Sequence, residues 1–227
     1  IKTVLNNVYQ YLEATTPPKL VNQKTGKAIT DLDADPVPGA TLKKGDFRLI
    51  SYEWGVTYAG MLHAGNMTDN KQYKKYTTER LNFIANVAPY FRKYHKAYPD
   101  SAYPLRSVLE PHTLDDAGSM CAAMIKTIRE GKNDNLRPLV DNYIDHIHNG
   151  QFRLSDGTLA RNRPQPNTIW LDDLFMSVPA LAQMGKLSGE NKYFDDAVRQ
   201  ILQFSERMFN WNKGLYMHGW VQGMEEH

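Results

Sequence analysis

The sequence contains a single cysteine, Cys121, among its 227 residues. One cysteine excludes an internal disulfide and any cysteine-rich metal site. Cys121 lies in the apolar run "GSMCAAMI", which has a helical character. We therefore predict that it is a small buried hydrophobic residue rather than a nucleophile.

The sequence also lacks an excess of either charge and any long hydrophobic run. It has 27 basic and 25 acidic residues, scattered along the chain, and this balance predicts no nucleic-acid partner. No apolar stretch approaches the roughly 20 residues that span a bilayer, so we predict no membrane segment. The chain begins with Ile1 rather than Met, and we expect a periplasmic or secreted protein, with the cytoplasm as the alternative.

Motifs for metals and phosphates are missing as well. The pair in "HIH" at 146–148 has neither the i, i+4 spacing nor the carboxylate of a zinc-binding helix, so we predict no metal site. There is no glycine-rich phosphate loop. The sequence therefore gives no reason to expect a cofactor.

What the sequence does contain is helical periodicity, and we treat 1–227 as a single domain. Apolar spacing predicts helices over 2–14, 50–65, 70–95, 114–130, 136–148, 168–185 and 191–210. Residues 15–46 are rich in Pro, Gly and Asp and predict an irregular excursion with room for a short strand. No alternating strand is predicted among the later helices.

The helices form pairs that repeat. Asn70, Asn135 and Asn191 each follow an apolar helix that ends near a glycine, and they lie 65 and 56 residues apart. The first helix of each pair is the more apolar, as expected if it faces a common axis while the second faces water. The pattern predicts either a closed ring of helical hairpins or an open stack of them.

Acidic pairs recur where the apolar helices begin. "EPHTLDDAGSM" contains Asp115 and Asp116, and "NTIWLDDLFM" contains Asp172 and Asp173 after Trp170. Helix capping explains the first pair as well as function does. Helix capping explains Asp172 and Asp173 less well, because they directly follow apolar residues and burying an unpaired carboxylate is costly.

Aromatic residues and one histidine accompany these acids. Trp54 follows Glu53 at the matching point of the first hairpin, and "NKGLYMHGW" places His218 and Trp220 after the last helix. If the apolar helices run parallel around an axis, these positions gather at one end of it. Carboxylates beside tryptophans at one mouth are typical of a sugar-binding site.

The blocks "WLDDLFMSVPALAQMG", "SGENKYFDDAVRQ" and "KGLYMHGW" together resemble the unsaturated glucuronyl and rhamnogalacturonyl hydrolases, glycoside hydrolase families 88 and 105, and family 105 most closely. The resemblance covers about residues 50–220. It implies an all-α (α/α)6 toroid and removal of the unsaturated uronic acid that polysaccharide lyases leave on oligosaccharides, without a metal or organic cofactor.

The resemblance also implies roles for individual residues. Asp172 corresponds to the family's general acid/base, and Asp116, or else Asp115, corresponds to its earlier aspartate. Trp54 and His218 correspond to positions on the substrate side. We further expect Trp170, Asp173 and Trp220 to contribute to substrate binding.

The family reaction hydrates the C4=C5 enol ether of the unsaturated sugar. One carboxyl donates a proton to C4 and then activates water for addition at C5. We expect Ile169, Trp170, Phe175 and the acidic neighbour Asp173 to favour the protonated form of Asp172.

The sequence departs from the family pattern in two ways. Members commonly carry a histidine about 11 residues before the catalytic aspartate, and the corresponding residue here is Arg161, which either binds the substrate's uronate carboxylate or marks an altered or inactive site. The toroid needs about six hairpins, whereas the sequence predicts three and a leading helix. We therefore expect the N-terminal portion of a longer enzyme, with apolar edges through which it could self-associate.

Two other functions remain open on the sequence alone. The first is a non-catalytic carbohydrate-binding or scaffold protein on the same helical fold, with its tryptophans as stacking platforms. The second is a helical repeat adaptor that binds protein.

Overall fold

The computed structural model describes residues 1–131 and 133–224 and is mostly helical. The helices are α1 (Lys2–Thr15), α2 (Tyr52–Thr68), α3 (Lys71–Ala97), α4 (Arg106–Leu109), α5 (Leu114–Gly131), α6 (Arg137–Asp145), α7 (Leu171–Ser188) and α8 (Asn191–Met208). A 3₁₀ turn (Asp134–Leu136) precedes α6, and a π-helical turn (His146–Gly150) continues it. The predicted helices are confirmed, with ends that differ by a few residues, and only the four-residue α4 was not predicted.

Three short antiparallel strand pairs accompany the helices in the described part of the chain. They are β1 (Leu20–Asn22) with β2 (Ala40–Leu42), β3 (Thr168–Trp170) with β6 (Gly219–Val221), and β4 (Phe209–Asn210) with β5 (Leu215–Tyr216). The first pair lies in the predicted excursion. Residues 168–170 (β3) and 209–210 (β4) were predicted to be helical, and this prediction was wrong. Strands of two or three residues are too short to show an alternating pattern in the sequence.

The helices pair into three hairpins, α2 with α3, α5 with α6 and α7 with α8, and α5 packs between α2 and α7. Residues 117–125 of α5 are all buried, including Cys121, which is 0% exposed. A helix covered on every side must be an inner helix. The three more apolar helices therefore lie side by side, as the sequence predicted.

Two glycines allow the inner helices to approach closely near their N-terminal ends. A Cβ atom at Gly55 of α2 would lie 2.5 Å from the backbone of Ser119 in α5, and one at Gly118 of α5 would clash with the carbonyl group of Met176 in α7. Only glycine fits at such contacts. The contacts hold the first turns of α2, α5 and α7 close to one another.

The hairpin turns follow the predicted chemistry only in part. At the second turn Gly131 is not in the left-handed region, and Asn135 lies inside the 3₁₀ turn and does not cap α6. Gly189 ends α7 in the left-handed region, with φ of 77°, but at the first turn Asp69 takes that position, with φ of 54°. Asn70 then caps α3, its side-chain oxygen accepting a hydrogen bond from the backbone N–H of Gln72 at 2.9 Å.

The leading helix α1 is held by a buried arginine that no sequence motif marks. Arg80 of α3 is 0% exposed; its Nε donates to the carbonyl oxygen and to Oγ1 of Thr16, each at 3.0 Å. Its Nη1 forms an ion pair with Glu13 at 3.1 Å. A buried guanidinium needs such partners, and they fix the end of α1 to the first hairpin.

Apolar side chains are exposed on the first and last helices. Val4, Val8 and Tyr11 are exposed on α1, and Val198 and Leu202 are exposed on α8. These are the apolar edges expected from an incomplete ring, and association through them stays a prediction. None of the described helices is both long enough and apolar enough to cross a membrane.

Candidate active site

Four aspartates lie on the first turns of two adjacent inner helices. Asp115 and Asp116 begin α5, and Asp172 and Asp173 begin α7. Carboxylates are favoured there because the helix N-terminus carries partial positive charge and free N–H groups. The packing of α5 against α7 brings the two pairs to one end of the structure, as the sequence predicted.

Arg161 joins one aspartate from each pair. Its Nε and Nη2 donate hydrogen bonds to the two oxygens of Asp173, each at 2.7 Å. The same Nη2 donates to both oxygens of Asp115, at 3.0 and 2.9 Å. We call Arg161, Asp115 and Asp173 the arginine triad.

Local backbone structure fixes the position of Arg161. Its N–H donates to the carbonyl oxygen of Thr168 at 2.7 Å, and the N–H of Thr168 donates back at 2.9 Å. The guanidinium lies over the ring of Trp170, 4.2 Å from its centroid. This stacking is a cation–π contact that keeps the fork of donors directed at the carboxylates.

Burial and charge act together in the arginine triad. The side chain of Asp173 is 0% exposed; this burial, together with the charges of Asp115 and Asp172, raises its pKa, and Arg161 opposes the rise. Burial alone would lower the pKa of Arg161, but Asp173 and Asp115 outweigh it and raise that pKa. Since both Asp173 oxygens accept from a guanidinium, the geometry is that of an ionised pair.

Arg161 was predicted either to bind the substrate's uronate carboxylate or to mark an altered or inactive site, and both alternatives stay predictions. In the structure its Nε and Nη2 donate to the protein's own carboxylates. Of the three guanidinium nitrogens of Arg161, only Nη1 makes no hydrogen bond with a described residue. The sequence could not reveal this, because Asp115 lies 46 residues away along the chain.

Asp172 has a different partner. Its Oδ2 lies 3.3 Å from Nδ1 of His218, and these two side chains are 47% and 76% exposed. The pairing of β3 with β6 produces this contact, because it aligns Trp170 with Gly219 and lets the N–H of Leu171 donate to the carbonyl oxygen of His218. The predicted return of the last segment to the acidic cluster is therefore present.

The apolar setting expected around Asp172 is absent from the described structure and needs correction. Asp172 is nearly half exposed, and Phe175, expected to shield it, is itself 62% exposed. The reason lies in helical geometry: Asp173 points into the packed side of α7, and its neighbour Asp172 points away from that side. Of the doublet, Asp173 is the buried acid.

Asp116 caps a neighbouring helix. Its Oδ1 accepts a hydrogen bond from the backbone N–H of Tyr52, the first residue of α2, at 2.7 Å. The capping role considered for this residue is thus found, although the capped helix is α2 rather than its own. A catalytic role for Asp116 stays a prediction.

Trp54 and Trp220 each have other aromatic or basic neighbours, and their expected roles in substrate binding stay predictions. Trp54 is 7% exposed and stacked at 4.8 Å on Phe47, so the aromatic ring that reaches the surface there is that of Phe47. Trp220 lines a cavity of about 480 Å³ beside Arg207 and Trp211, and no aspartate is among the described residues that line it. The sequence did not identify Phe47, because nothing in a loop sequence shows that one aromatic ring stacks over another.

Metal ligands are not gathered in the described structure. Within 1–131 and 133–224, no group of three or more His, Cys, Asp or Glu side chains is placed to hold a metal ion.

Comparison with known families gives a match over most of the chain. The sequence profile described as Glycosyl Hydrolase Family 88 matches residues 23–227. A comparison with curated proteins finds no match.

Solved structures with the same fold are also found. A possible member of glycoside hydrolase family 105 from Klebsiella pneumoniae aligns with a TM-score of 0.65 at 17% identity, over 99% of this chain and 52% of that one. A possible member from Salmonella enterica serovar Paratyphi A gives 0.62 at 18% identity, over 99% and 52%. A family 105 hydrolase from C. acetobutylicum gives 0.59 at 21% identity, over 77% and 44%.

At these identities the likeness establishes the fold. This chain spans about half the length of the first two structures. The expected fold class, a helical toroid of which this chain forms about half, is therefore confirmed.

Proposed function

The chain belongs to Glycosyl Hydrolase Family 88, and on that premise we propose that it carries the acid/base residue of an unsaturated uronyl hydrolase. The reaction removes a Δ4,5-unsaturated uronic acid from the non-reducing end of an oligosaccharide produced by a polysaccharide lyase. Since the chain spans about half the length of the similar structures, the proposal concerns the native gene product that contains it.

The observation that supports this proposal most directly is the pair formed by Asp172 and His218. A general acid/base must reach its substrate, and the Asp172 carboxyl is 47% exposed at the end of an inner helix. Asp173, by contrast, has both oxygens occupied by Arg161 and no exposed surface. Of the doublet, only Asp172 is free to exchange a proton with a bound sugar.

We propose the following steps for Asp172. The protonated carboxyl transfers its proton to C4 of the C4=C5 double bond, and positive charge develops at C5, where the ring oxygen stabilises it. The carboxylate then takes a proton from water as the water oxygen bonds to C5. The hemiketal formed at C5 opens, the glycosidic bond at C1 breaks, and the alcohol of the next sugar leaves. Asp172 ends protonated, as it began.

The other predicted residues take supporting roles. His218, 3.3 Å from Asp172, orients the carboxyl and is in reach of the same sugar. The ring of Trp170 contacts both Arg161 and His218, whose imidazole centroid lies 5.8 Å away, and it is partly exposed. Asp115, Asp173 and Arg161 hold the first turns of α5 and α7 together and are positioning residues.

The experiment follows the ultraviolet absorbance of the conjugated double bond while the native gene product acts on lyase-digested pectin or glycosaminoglycan. The absorbance should fall, and Asp172→Asn should slow the loss by roughly 100-fold or more, because general acid/base catalysis typically contributes that much. Asp195→Asn, which removes an exposed carboxylate on α8, is the matched control and should keep the wild-type rate.

A wild-type protein that leaves the double bond intact on every substrate would contradict the proposal. If it still binds these oligosaccharides, the alternative of a non-catalytic carbohydrate-binding protein is supported.

A further inference from the structure

The short ribbon formed by β3 and β6 leads directly to both members of the Asp172–His218 pair. β3 ends at Trp170, two positions before Asp172, and β6 begins at Gly219, directly after His218. Three residue pairs join the two strands. A two-stranded ribbon is marginally stable by itself, so this one depends on its packing against the rest of the fold. That packing therefore bears on the distance between Asp172 and His218.

One face of the ribbon packs against the body of the protein. Ile169 and Trp220 lie opposite each other in the strand register, so their side chains project from the same face. Ile169 is fully buried, and Trp220 is partly buried and packs against the hydrophobic core. Since β6 lies against α8, the indole of Trp220 is the side chain by which β6 is attached there.

Arg207, in the last turn of α8, lies over the ring of Trp220. Its guanidinium carbon is 5.6 Å from the ring centroid, within the range of a cation–π contact. Two other groups hold the same guanidinium: Nη1 donates to the carbonyl oxygen of Gln203 at 3.2 Å, and Nη2 pairs with the carboxylate of Asp156. A planar group held in this way keeps one orientation and forms a fixed support for the indole.

Asp156, the ionic partner of Arg207, is fixed by its own turn. Its Oδ1 accepts hydrogen bonds from the N–H and from Oγ1 of Thr158, at 3.1 and 2.7 Å. Its carbonyl oxygen accepts from Nε2 of Gln203 at 2.9 Å. The side chains of Arg207 and Asp156 are 22% and 38% exposed, so the pair is partly shielded from water. The ion pair therefore has a rigid carboxylate at one end and the support of Trp220 at the other.

His218 depends on its backbone for its position. Its side chain is 76% exposed, and the contacts that the described structure gives it are with Oδ2 of Asp172 at 3.3 Å and with the ring of Trp170, 5.8 Å away between centroids. Its carbonyl oxygen accepts from the N–H of Leu171 at 2.9 Å. An imidazole with so little packing of its own moves with the strand that follows it.

We propose that Arg207 is a positioning residue for His218: by holding Trp220 against α8, it keeps β6 in place and the imidazole beside Asp172. Within the described residues, its contacts are with Gln203, Asp156 and Trp220 and not with the acid/base pair itself. This inference rests on the proposed function and adds to it a residue that acts through the back of the ribbon.

The kinetic experiment uses the native gene product and an unsaturated disaccharide. Arg207→Ala should lower kcat about tenfold, because a displacement of about 1 Å caused by a distant substitution can cost as much as ~100-fold. Arg207→Lys keeps a cation for Asp156 but loses the planar group over Trp220, so it should recover part of the rate. Arg199→Ala, which removes an exposed arginine of the same helix, should keep the wild-type rate.

A double-variant cycle distinguishes positioning from a general loosening of the fold. If Arg207 acts through His218, Arg207→Ala should lower kcat less than twofold in a protein that already carries His218→Gln. If the substitution merely loosens the structure, the same tenfold factor appears with and without His218. That multiplicative result, or an unchanged kcat in Arg207→Ala, would overturn the inference.

An NMR measurement separates this inference from the proposed function, because it needs no turnover. The sequence has seven histidines, and with ¹³C-labelled histidine the signal of His218 is the one that His218→Gln removes. The neighbouring ring of Trp170 shifts this signal away from that of a free imidazole. Arg207→Ala should move it towards the free value, Arg207→Lys should move it less, and Arg199→Ala should leave it in place.

The outcomes of the two experiments are independent. A displaced His218 signal in Arg207→Ala supports the positioning role even if no substrate is hydrolysed. An undisturbed signal overturns it even if hydrolysis is observed. Circular dichroism checks that each variant is folded, and if Arg207→Ala is not, Arg207→Lys, which retains the Asp156 pair, is judged by the same two criteria.

Discussion

Arg161 donates from Nε and Nη2 to both oxygens of Asp173, whose side chain is 0% exposed. The two residues lie 12 positions apart in the sequence, one in the segment before β3 and one on the first turn of α7. This buried pair fixes which acid of the doublet faces inward. It consequently leaves Asp172 as the acid that faces outward beside His218.

Removing Arg161 should destabilise the fold strongly. Arg161→Gln leaves the Asp173 carboxylate buried without a counter-charge, and we expect a loss of about 3–5 kcal/mol in the free energy of unfolding. Urea denaturation followed by circular dichroism measures it. The double variant Arg161→Gln with Asp173→Asn removes the stranded charge and should recover part of the loss. A single-variant loss below about 1 kcal/mol, the range of exposed pairs, would contradict this account of the triad.

The close contact between α5 and α7 should tolerate no side chain at Gly118. In Gly118→Ala the new methyl group meets the carbonyl group of Met176, and we expect a loss of about 1–3 kcal/mol from overpacking. Gly60→Ala in α2 is the matched control, because nothing lies within 4 Å of a Cβ there. That variant should gain about 0.5–1 kcal/mol from helix propensity. Thermal unfolding of both variants checks the prediction, and a shift of the same sign in the two would contradict it.

A second buried carboxylate should make stability depend on acid pH. Burial alone would raise the pKa of Asp196, but hydrogen bonds from Arg153, Gln200 and His148 and the charge of Arg153 outweigh it, so its pKa is lowered below the ordinary 3.8. The unfolded chain therefore binds the proton first as pH falls. The stabilisation is complete above the unfolded pKa and is lost as pH falls through the lower folded pKa.

The variant Asp196→Asn tests this sign. It should be less stable than the wild type at pH 7, by about 1–3 kcal/mol, and the gap should narrow as the pH falls below about 4. Asp195→Asn, the exposed neighbour on the same helix, should follow the wild-type profile. Urea unfolding over a pH series provides the measurement, and a gap that stays constant down to pH 2 would count against the assigned network.

Much of the fold followed from local sequence. Apolar spacing and turn residues such as Asn70 and Gly189 act within a few positions, so the helix pairs and their inner members could be predicted. The strands β3 and β6 could not, since each has three residues and their pairing joins segments about 50 positions apart. That pairing is what places His218 beside Asp172.

The acidic residues of the candidate site could be predicted from the sequence, but the surroundings of each carboxylate could not. The repeated Leu-Asp-Asp identified both aspartate pairs as candidate site residues, because burying carboxylates within an apolar run is costly unless they have partners or a function. Which acid of a doublet is buried depends on helix rotation, and here the packing of α7 buries Asp173. The ion pairs of its partner Arg161 could not be predicted from the sequence, because they form only when α5 and α7 pack together.

The central claim is that Asp172 delivers a solvent-derived proton to C4 of an unsaturated uronate. The measurement is the reaction of the native gene product in D₂O on an unsaturated disaccharide. The released sugar is reduced with borohydride at once, to prevent exchange beside its new ketone, and analysed by mass spectrometry and NMR. We predict one deuterium at C4 of the released sugar and loss of the double bond, both abolished in Asp172→Asn. A released uronate that keeps its double bond and carries no deuterium at C4 would contradict the account.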